Sequence, residues 1–148
     1  MKTEYIQTIL IVYLVLAATA DIMRKKLSVV FLLIGVIPAA LTVIAAILGT
    51  EGEVKSGLLQ CAGGAVIGAL FIPISLAFRN KIGLADAIIF TICGTVFGYA
   101  GITSVILFSF LLGGLYAAAM LAIGRMTGKS TFAFVPFILL GSAMTMIL

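Results

Sequence analysis

Apolar stretches long enough to cross a membrane fill most of this 148-residue chain. A helix needs roughly 20 apolar residues to span a hydrocarbon core about 30 Å thick. Charged and turn residues divide the sequence into six such stretches: residues 5–20, 27–49, 58–78, 82–101, 102–123 and 132–148. We therefore predict an all-α, polytopic integral membrane protein with about six transmembrane helices, in one domain over residues 1–148. Five helices is the alternative, because only Tyr99-Ala100-Gly101 marks a turn between the fourth and fifth stretches.

The scarcity of charge excludes a soluble protein. Nine Lys and Arg with five Asp and Glu make up only 9% of the residues, whereas a soluble domain carries roughly 25% charged side chains to face water. The chain has no His, and its two cysteines, Cys61 and Cys93, are too few for a thiolate zinc site. A His-based catalytic triad is excluded as well. We expect no metal, no cofactor and no nucleic-acid partner.

Two pairs of glycines have the spacing of close helix packing in membranes. Gly64 and Gly68 lie four residues apart in the third apolar stretch, and Gly94 and Gly98 do so in the fourth. Small residues at this spacing let two transmembrane backbones approach each other closely. We interpret both pairs as packing surfaces without a chemical role.

The positive charges predict the orientation of the chain in the membrane. Short loops rich in Lys and Arg stay on the cytoplasmic side. The loops after the first, third and fifth stretches hold seven of the nine basic residues: Arg24, Lys25, Lys26, Arg79, Lys81, Arg125 and Lys129. We expect these loops in the cytoplasm and both termini outside. In the alternative interpretation the first stretch is a signal peptide cleaved near Ala18-Thr19-Ala20, which would invert this charge pattern.

Five carboxylates are the candidates for acid–base chemistry. Glu4, Glu51 and Glu53 belong to the outer segments, where a carboxylate is simply solvated. Asp21 and Asp86 differ, because the predicted topology places both at the cytoplasmic edge, at the end of the first helix and the start of the fourth. An acidic side chain at membrane depth is costly and by default marks a functional site. For Asp86, a stabilising contact with the positive end of its helix dipole is the alternative.

Two carboxyl groups without a histidine or a metal cluster favour one kind of chemistry. Held within hydrogen-bonding distance in a low-dielectric site, they cannot both ionise, and they share one proton. The ionised carboxylate then draws a proton from water, and the protonated one donates to the substrate carbonyl or the leaving amine. The pattern predicts an aspartyl protease, provided that Asp21 and Asp86, 65 positions apart, meet in the fold.

Three segments resemble the type IV prepilin peptidases, membrane aspartyl proteases with a GxGD motif that include the archaeal preflagellin peptidases. Residues 21–29 place an Asp at a helix end before a basic stretch, as around the family's first catalytic Asp. Residues 83–86 read Gly-Leu-Ala-Asp and match GxGD except at Ala85. Residues 134–137 resemble the apolar Pro-Phe segment near the family's C-terminus. The order of the segments, the spacing of the aspartates and the number of spans agree over nearly the whole chain.

The resemblance implies a site and a reaction. Asp21 and Asp86 would be the catalytic dyad, and Gly83, Ala85 and Pro136 would support the motifs. Such enzymes remove a short basic leader from prepilin-like, membrane-anchored precursors at the cytoplasmic face of the inner membrane of a prokaryote. We therefore expect a multi-pass aspartic-type endopeptidase that serves type IV pili or protein secretion, with such a precursor as its partner. The cysteine-rich segment of bifunctional members is missing, so we expect no methyltransferase activity.

The charged residues also indicate a second partner and other functions. Clustered Lys and Arg beside a helix end attract anionic lipid headgroups, so we expect such lipids at the cytoplasmic basic loops. A small proton- or cation-coupled transporter using Asp21 and Asp86 is the main alternative function, because six helices can divide into two halves of three. A catalytically inactive assembly factor of a pilus machine is a further alternative.

Overall fold

Apolar helices account for nearly all of the regular structure. The computed structural model describes residues 2–24, 29–49, 51–77, 83–125 and 133–147. These residues form six helices: α1 (Lys2–Arg24), α2 (Val29–Ile47), α3 (Glu51–Ala69), α4 (Phe71–Ala77), α5 (Leu84–Ala122) and α6 (Val135–Ile147). Four segments are long and apolar enough to cross a membrane: Glu4–Met23, Val30–Ile47, Glu53–Ala77 and Leu84–Ala122. The chain is therefore an all-helical, multi-pass membrane protein.

The 39-residue helix α5 reverses direction at Gly98, which has φ 72° and ψ −177°. An uninterrupted helix would separate Phe90 from Phe110 by about 30 Å, because each residue adds about 1.5 Å. Their ring centroids lie only 6.1 Å apart, and both rings pack on Phe71. We call the parts of α5 before and after Gly98 its first arm and its second arm. The two arms form a hairpin.

This reversal bears on the predicted boundary between the fourth and fifth apolar stretches. The sequence places the turn at Tyr99-Ala100-Gly101, whereas the structure places it at Gly98, where the helical backbone is interrupted between the two arms. A positive φ is strained for a residue with a side chain and costs glycine little, which explains why the chain turns at this glycine. In the sixth stretch the helix begins only at Val135, after Ala133 and Phe134, whereas residues 132 and 148 lie outside the described residues.

The glycine pairs bring α3 against the first arm of α5, as the sequence predicts. A methyl group added at Gly64 would collide with the carbonyl of Gly94, and one added at Gly94 would collide with the carbonyl of Gly64. One added at Gly68 would meet the backbone of Phe90. The two backbones are therefore in direct contact, and any larger residue at Gly64 or Gly94 would push the helices apart.

The third apolar stretch is divided into α3 and α4 by a turn at Leu70. The Leu70 N–H still donates to the Val66 carbonyl at 3.0 Å, so regular helix continues up to the turn. Pro73 follows three residues later and has no N–H to donate to the carbonyl of Ala69. The missing bond explains why the helix is interrupted here.

The basic loops that predict the orientation are covered only in part. Lys25, Lys26, Arg79, Lys81 and Lys129 lie outside the described residues. Arg24 is the last residue of α1, and Arg125 is exposed just beyond the end of α5.

Candidate active site

Asp21 belongs to the buried face of α1. Ile6, Leu10, Leu14 and Ala17 are all buried, and Asp21 continues their spacing of three or four residues. This spacing keeps side chains on one face of a helix. Asp21 is only 9% exposed. The carboxylate therefore points into the helix bundle.

α1 also continues past Asp21, although the sequence suggests that the aspartate closes the span. The helix ends at Arg24, so Asp21 lies in its last turn. The carbonyl groups at this end carry partial negative charge and disfavour a carboxylate. Contacts from another element must therefore stabilise Asp21 in this position.

Asp86 lies at the start of α5 and is half-buried. Gly83 is the N-cap residue and Asp86 is the third residue of the helix. The Asp86 N–H donates to the Gly83 carbonyl at 3.1 Å, and the Asp86 carboxylate faces the Gly83 N–H. This reciprocal pattern is half of a capping box, in which the third residue reaches back to the N-cap. The local backbone thus orients the Asp86 carboxylate.

The absence of a side chain at Gly83 leaves room for that carboxylate. A methyl group added at Gly83 would lie 2.9 Å from Asp86 Oδ2. Gly83 has φ −69° and ψ 131°, which any residue can adopt. A side chain at residue 83 would therefore displace the Asp86 carboxylate, whereas the backbone conformation would not oppose the substitution.

The start of α6 contacts Asp21. The Val135 N–H donates to Asp21 Oδ2 at 3.4 Å, and the Phe134 N–H also faces this carboxylate. Val135 is the first residue of α6 and Pro136 the second. Proline is favoured at the beginning of a helix, where its fixed φ suits the first turn. The apolar Pro-Phe segment therefore lies beside Asp21.

The fold places the two aspartates at the same end of the bundle. The Asp86 carboxylate lies within electrostatic range of the Asp21 carboxylate. Three segments meet at this end of the bundle: the last turn of α1, the first turn of α5 and the first turn of α6. Ala85, in place of the second glycine of GxGD, is half-buried in the same first turn of α5 as Asp86.

Aromatic side chains close the interior of the bundle beside the aspartates. Phe90 lies one helical turn after Asp86, and its ring packs 5.1 Å from Phe71 and 6.2 Å from Phe134. Phe134 also packs 5.4 Å from Phe110. Rings at these separations attract each other and exclude water. These rings therefore form an apolar cluster one helical turn from Asp86, at the level where α6 begins.

The other candidate groups lie apart from this pair. Glu4 and Glu53 are exposed, and Cys61 and Cys93 are buried and free. Cys93 Sγ lies 4.0 Å from Ser142 Oγ. Across the parts of the chain that the structure covers, no three His, Cys, Asp or Glu residues are grouped to hold a metal ion.

The Val135 N–H is the contact that sequence reasoning missed. A backbone donor has no residue-type signature, and 114 positions separate it from Asp21. Pro136 gives a partial indication of this contact. Proline is favoured in the first turn of a helix, and the N–H groups of that turn lack intrahelical partners.

Comparison with known proteins gives one partial similarity. Over 80 residues the chain is 34% identical to the prepilin leader peptidase/N-methyltransferase of Bacillus subtilis (strain 168). The aligned part makes up 53% of this chain and 32% of that protein, so the chain spans about a third of the length of the curated relative it matches. No family model matches the chain. No solved structure matches it either.

Proposed function

We propose that this chain is a membrane-embedded aspartyl endopeptidase that cleaves the short basic leader from prepilin-like precursors at the cytoplasmic face of the membrane. The observation that carries the proposal is that Asp21 and Asp86 lie within electrostatic range of each other at one end of an apolar helix bundle. The partial similarity to a prepilin leader peptidase supports the same reaction. On this proposal residues 1–148 act as one peptidase domain.

The proposed mechanism needs only the two carboxyl groups, one ionised and one protonated. The ionised carboxylate accepts a proton from water while the water oxygen attacks the carbonyl carbon of the scissile peptide. The protonated carboxyl donates to the carbonyl oxygen as it becomes tetrahedral. The intermediate then collapses and the C–N bond breaks. The leaving amine takes the proton that the first carboxylate drew from water, and the former carbonyl oxygen returns its proton to the second carboxylate. Gly83, Ala85 and Pro136 support the turns that present the two acids.

The proposal includes an orientation and two partners. Six crossings with both termini outside would place the aspartate end at the cytoplasmic face of a prokaryotic inner membrane. The precursor then presents its basic leader to the site while its own apolar helix stays in the bilayer. Anionic lipid headgroups gather at the basic loops beside the same face.

The decisive experiment is processing of a prepilin-like precursor by purified protein in liposomes. We expect the wild type to remove the leader, seen as a gel shift. Asp21→Asn and Asp86→Asn should each lower the rate by about 10²- to 10⁴-fold, because each removes one acid–base group. Glu4→Gln is the matched control, since it makes the same change on an exposed carboxylate of α1 and should leave the rate unchanged.

Two results would contradict the proposal in different ways. Processing by both aspartate variants at the wild-type rate would show that the dyad does not carry the reaction. A wild-type protein that processes no precursor but moves protons across the liposome membrane would support the transporter alternative.

A further inference from the structure

Asp21 and Asp86 are held by different parts of the fold. The Asp86 carboxylate faces the Gly83 N–H at the start of its own helix. Asp21 lies in the last turn of α1, where the local backbone offers carbonyl groups instead of donors. Among the described residues, the donors that face Asp21 are the N–H groups of Phe134 and Val135 at the start of α6.

The hydrogen bonds at the start of α6 explain why these two groups face Asp21. The first N–H groups of a helix have no intrahelical partner. The Phe137 N–H donates to the Phe134 carbonyl at 2.9 Å, so Phe134 is the N-cap residue. Pro136 has no N–H. The N–H groups of Phe134 and Val135 remain: the Val135 N–H donates to Asp21 Oδ2 at 3.4 Å, and the Phe134 N–H faces the same carboxylate.

We propose that Val135 is a positioning residue whose backbone N–H holds Asp21 in the orientation that the aspartate pair requires, while the same carboxylate caps α6. The inference rests on the proposed peptidase function. Fixed N–H donors keep a reacting carboxylate in place without reorganisation during the reaction. Val135 is therefore coupled to the chemistry through Asp21, without touching the substrate itself.

The activity test replaces Val135 with proline. Val135→Pro removes the N–H, and proline is well tolerated at the first position of a helix. Val135→Ala is the matched control, because it keeps the N–H and removes two methyl groups of a fully buried side chain. With a prepilin-like precursor as substrate, we expect kcat of Val135→Pro to lie about 10- to 100-fold below that of Val135→Ala, with KM within about twofold.

A second variant covers the possibility that two adjacent prolines prevent folding. The exchange Val135→Pro with Pro136→Val keeps the composition and a single proline. It removes the N–H at position 135 and adds one at position 136, so Pro136→Val alone is its reference. We expect the same loss of kcat relative to that reference. If the folded exchange variant and Val135→Pro both retain kcat within about twofold of their respective references, the positioning role is wrong. A fall in thermal stability without a fall in kcat would mean that the contact only caps α6.

A stability measurement tests the contact independently of catalysis. Asp21→Asn keeps a side-chain oxygen that can accept the Val135 N–H, whereas Asp21→Ala removes it. We expect the melting temperature in detergent to fall by several degrees in Asp21→Ala relative to Asp21→Asn. Equal melting temperatures would overturn the capping contact. A wild-type protein that cleaves no precursor would contradict the proposed function. The melting temperatures of the two Asp21 variants would still show whether Asp21 caps α6.

Discussion

Single residues decide how the two carboxylates are presented. Asp86 lies at the third position of α5, where the positive end of the helix dipole stabilises an anion. Asp21 lies at the C-terminal end of α1, where the helix dipole is negative, and its carboxylate accepts the Val135 N–H of α6 instead. The missing side chain of Gly83 completes the arrangement, because the carboxylate of Asp86 occupies the space that a methyl group would take. The orientation of Asp86 thus depends on the residue three positions before it.

Gly83→Ala should therefore reduce activity without unfolding the protein. The added methyl group would lie 2.9 Å from Asp86 Oδ2 and displace the carboxylate. We expect kcat for precursor cleavage to fall about tenfold or more, since displacements of about 1 Å can cost up to about 100-fold. Gly63→Ala is the control, because its methyl group would meet Tyr99 Cβ at an ordinary 3.5 Å. Equal kcat values for the two variants would show that residue 83 does not position Asp86.

At the scale of elements, the hairpin of α5 does most to shape the bundle. Its reversal at Gly98 lets Phe110 of the second arm pack against Phe90 of the first. The second arm then packs on α6, where a methyl group added at Gly141 would lie 2.5 Å from Ser109 Oγ. The first arm contacts α6 through Cys93 and Ser142. Both arms therefore hold α6, and α6 in turn contacts Asp21.

Gly98→Ala should destabilise the fold through its backbone conformation. Space is not limiting, since the nearest heavy atom to the added methyl group would be Gln60 Cβ at 3.4 Å. The cost comes from φ 72°, which residues with a side chain rarely adopt, and should be about 1–3 kcal/mol. Thermal unfolding in detergent measures this loss.

Gly114→Ala is the matched control for that change. Gly114 lies in the helical second arm of α5, and a methyl group there would meet nothing within 4 Å. Alanine is the better helix former by roughly 0.5–1 kcal/mol, so this variant should be as stable as the wild type or more so. If Gly98→Ala unfolds at the same temperature as Gly114→Ala, the reversal at Gly98 is not strained.

At the scale of the whole molecule, the two ends of the bundle differ in chemistry. One end holds Asp21, Asp86 and the start of α6. The other end holds a cavity of about 240 Å³, whose lining includes Ile6 near the start of α1 and Gly98 at the turn of α5. α1 therefore runs towards the aspartates, and α6 runs away from them.

This arrangement predicts that the segments flanking α6 lie on opposite sides of the membrane. Reporter fusions after residue 125 and after residue 147 test it, one reporter being active only in the cytoplasm and the other only outside. We expect the fusion after residue 125 to report the cytoplasm and the one after residue 147 to report the outside. α6 has 13 residues, or about 20 Å, so flanking residues must complete the crossing. Fusions that report the same side would show that α6 enters and leaves through one face.

The sequence predicts the side chains of the candidate site, but it does not predict the backbone groups that contact them. Asp21 and Asp86 stand out because acids are rare and costly in such an apolar chain. Gly83 was identified through its motif, although only the structure shows the close approach to Asp86 Oδ2. The Val135 N–H could not be identified, because every residue except proline carries this donor and its use depends on distant packing.

The sequence by itself determined that the chain is helical and embedded in a membrane, because long apolar stretches leave each backbone group to be satisfied within its own helix. It also determined which glycines pack, since Gly64 and Gly94 have no side chains to separate two helices. Only the tertiary structure decided that α5 reverses at Gly98 and that the start of α6 contacts Asp21. These features depend on contacts between distant segments, and local composition does not specify which helix end meets which.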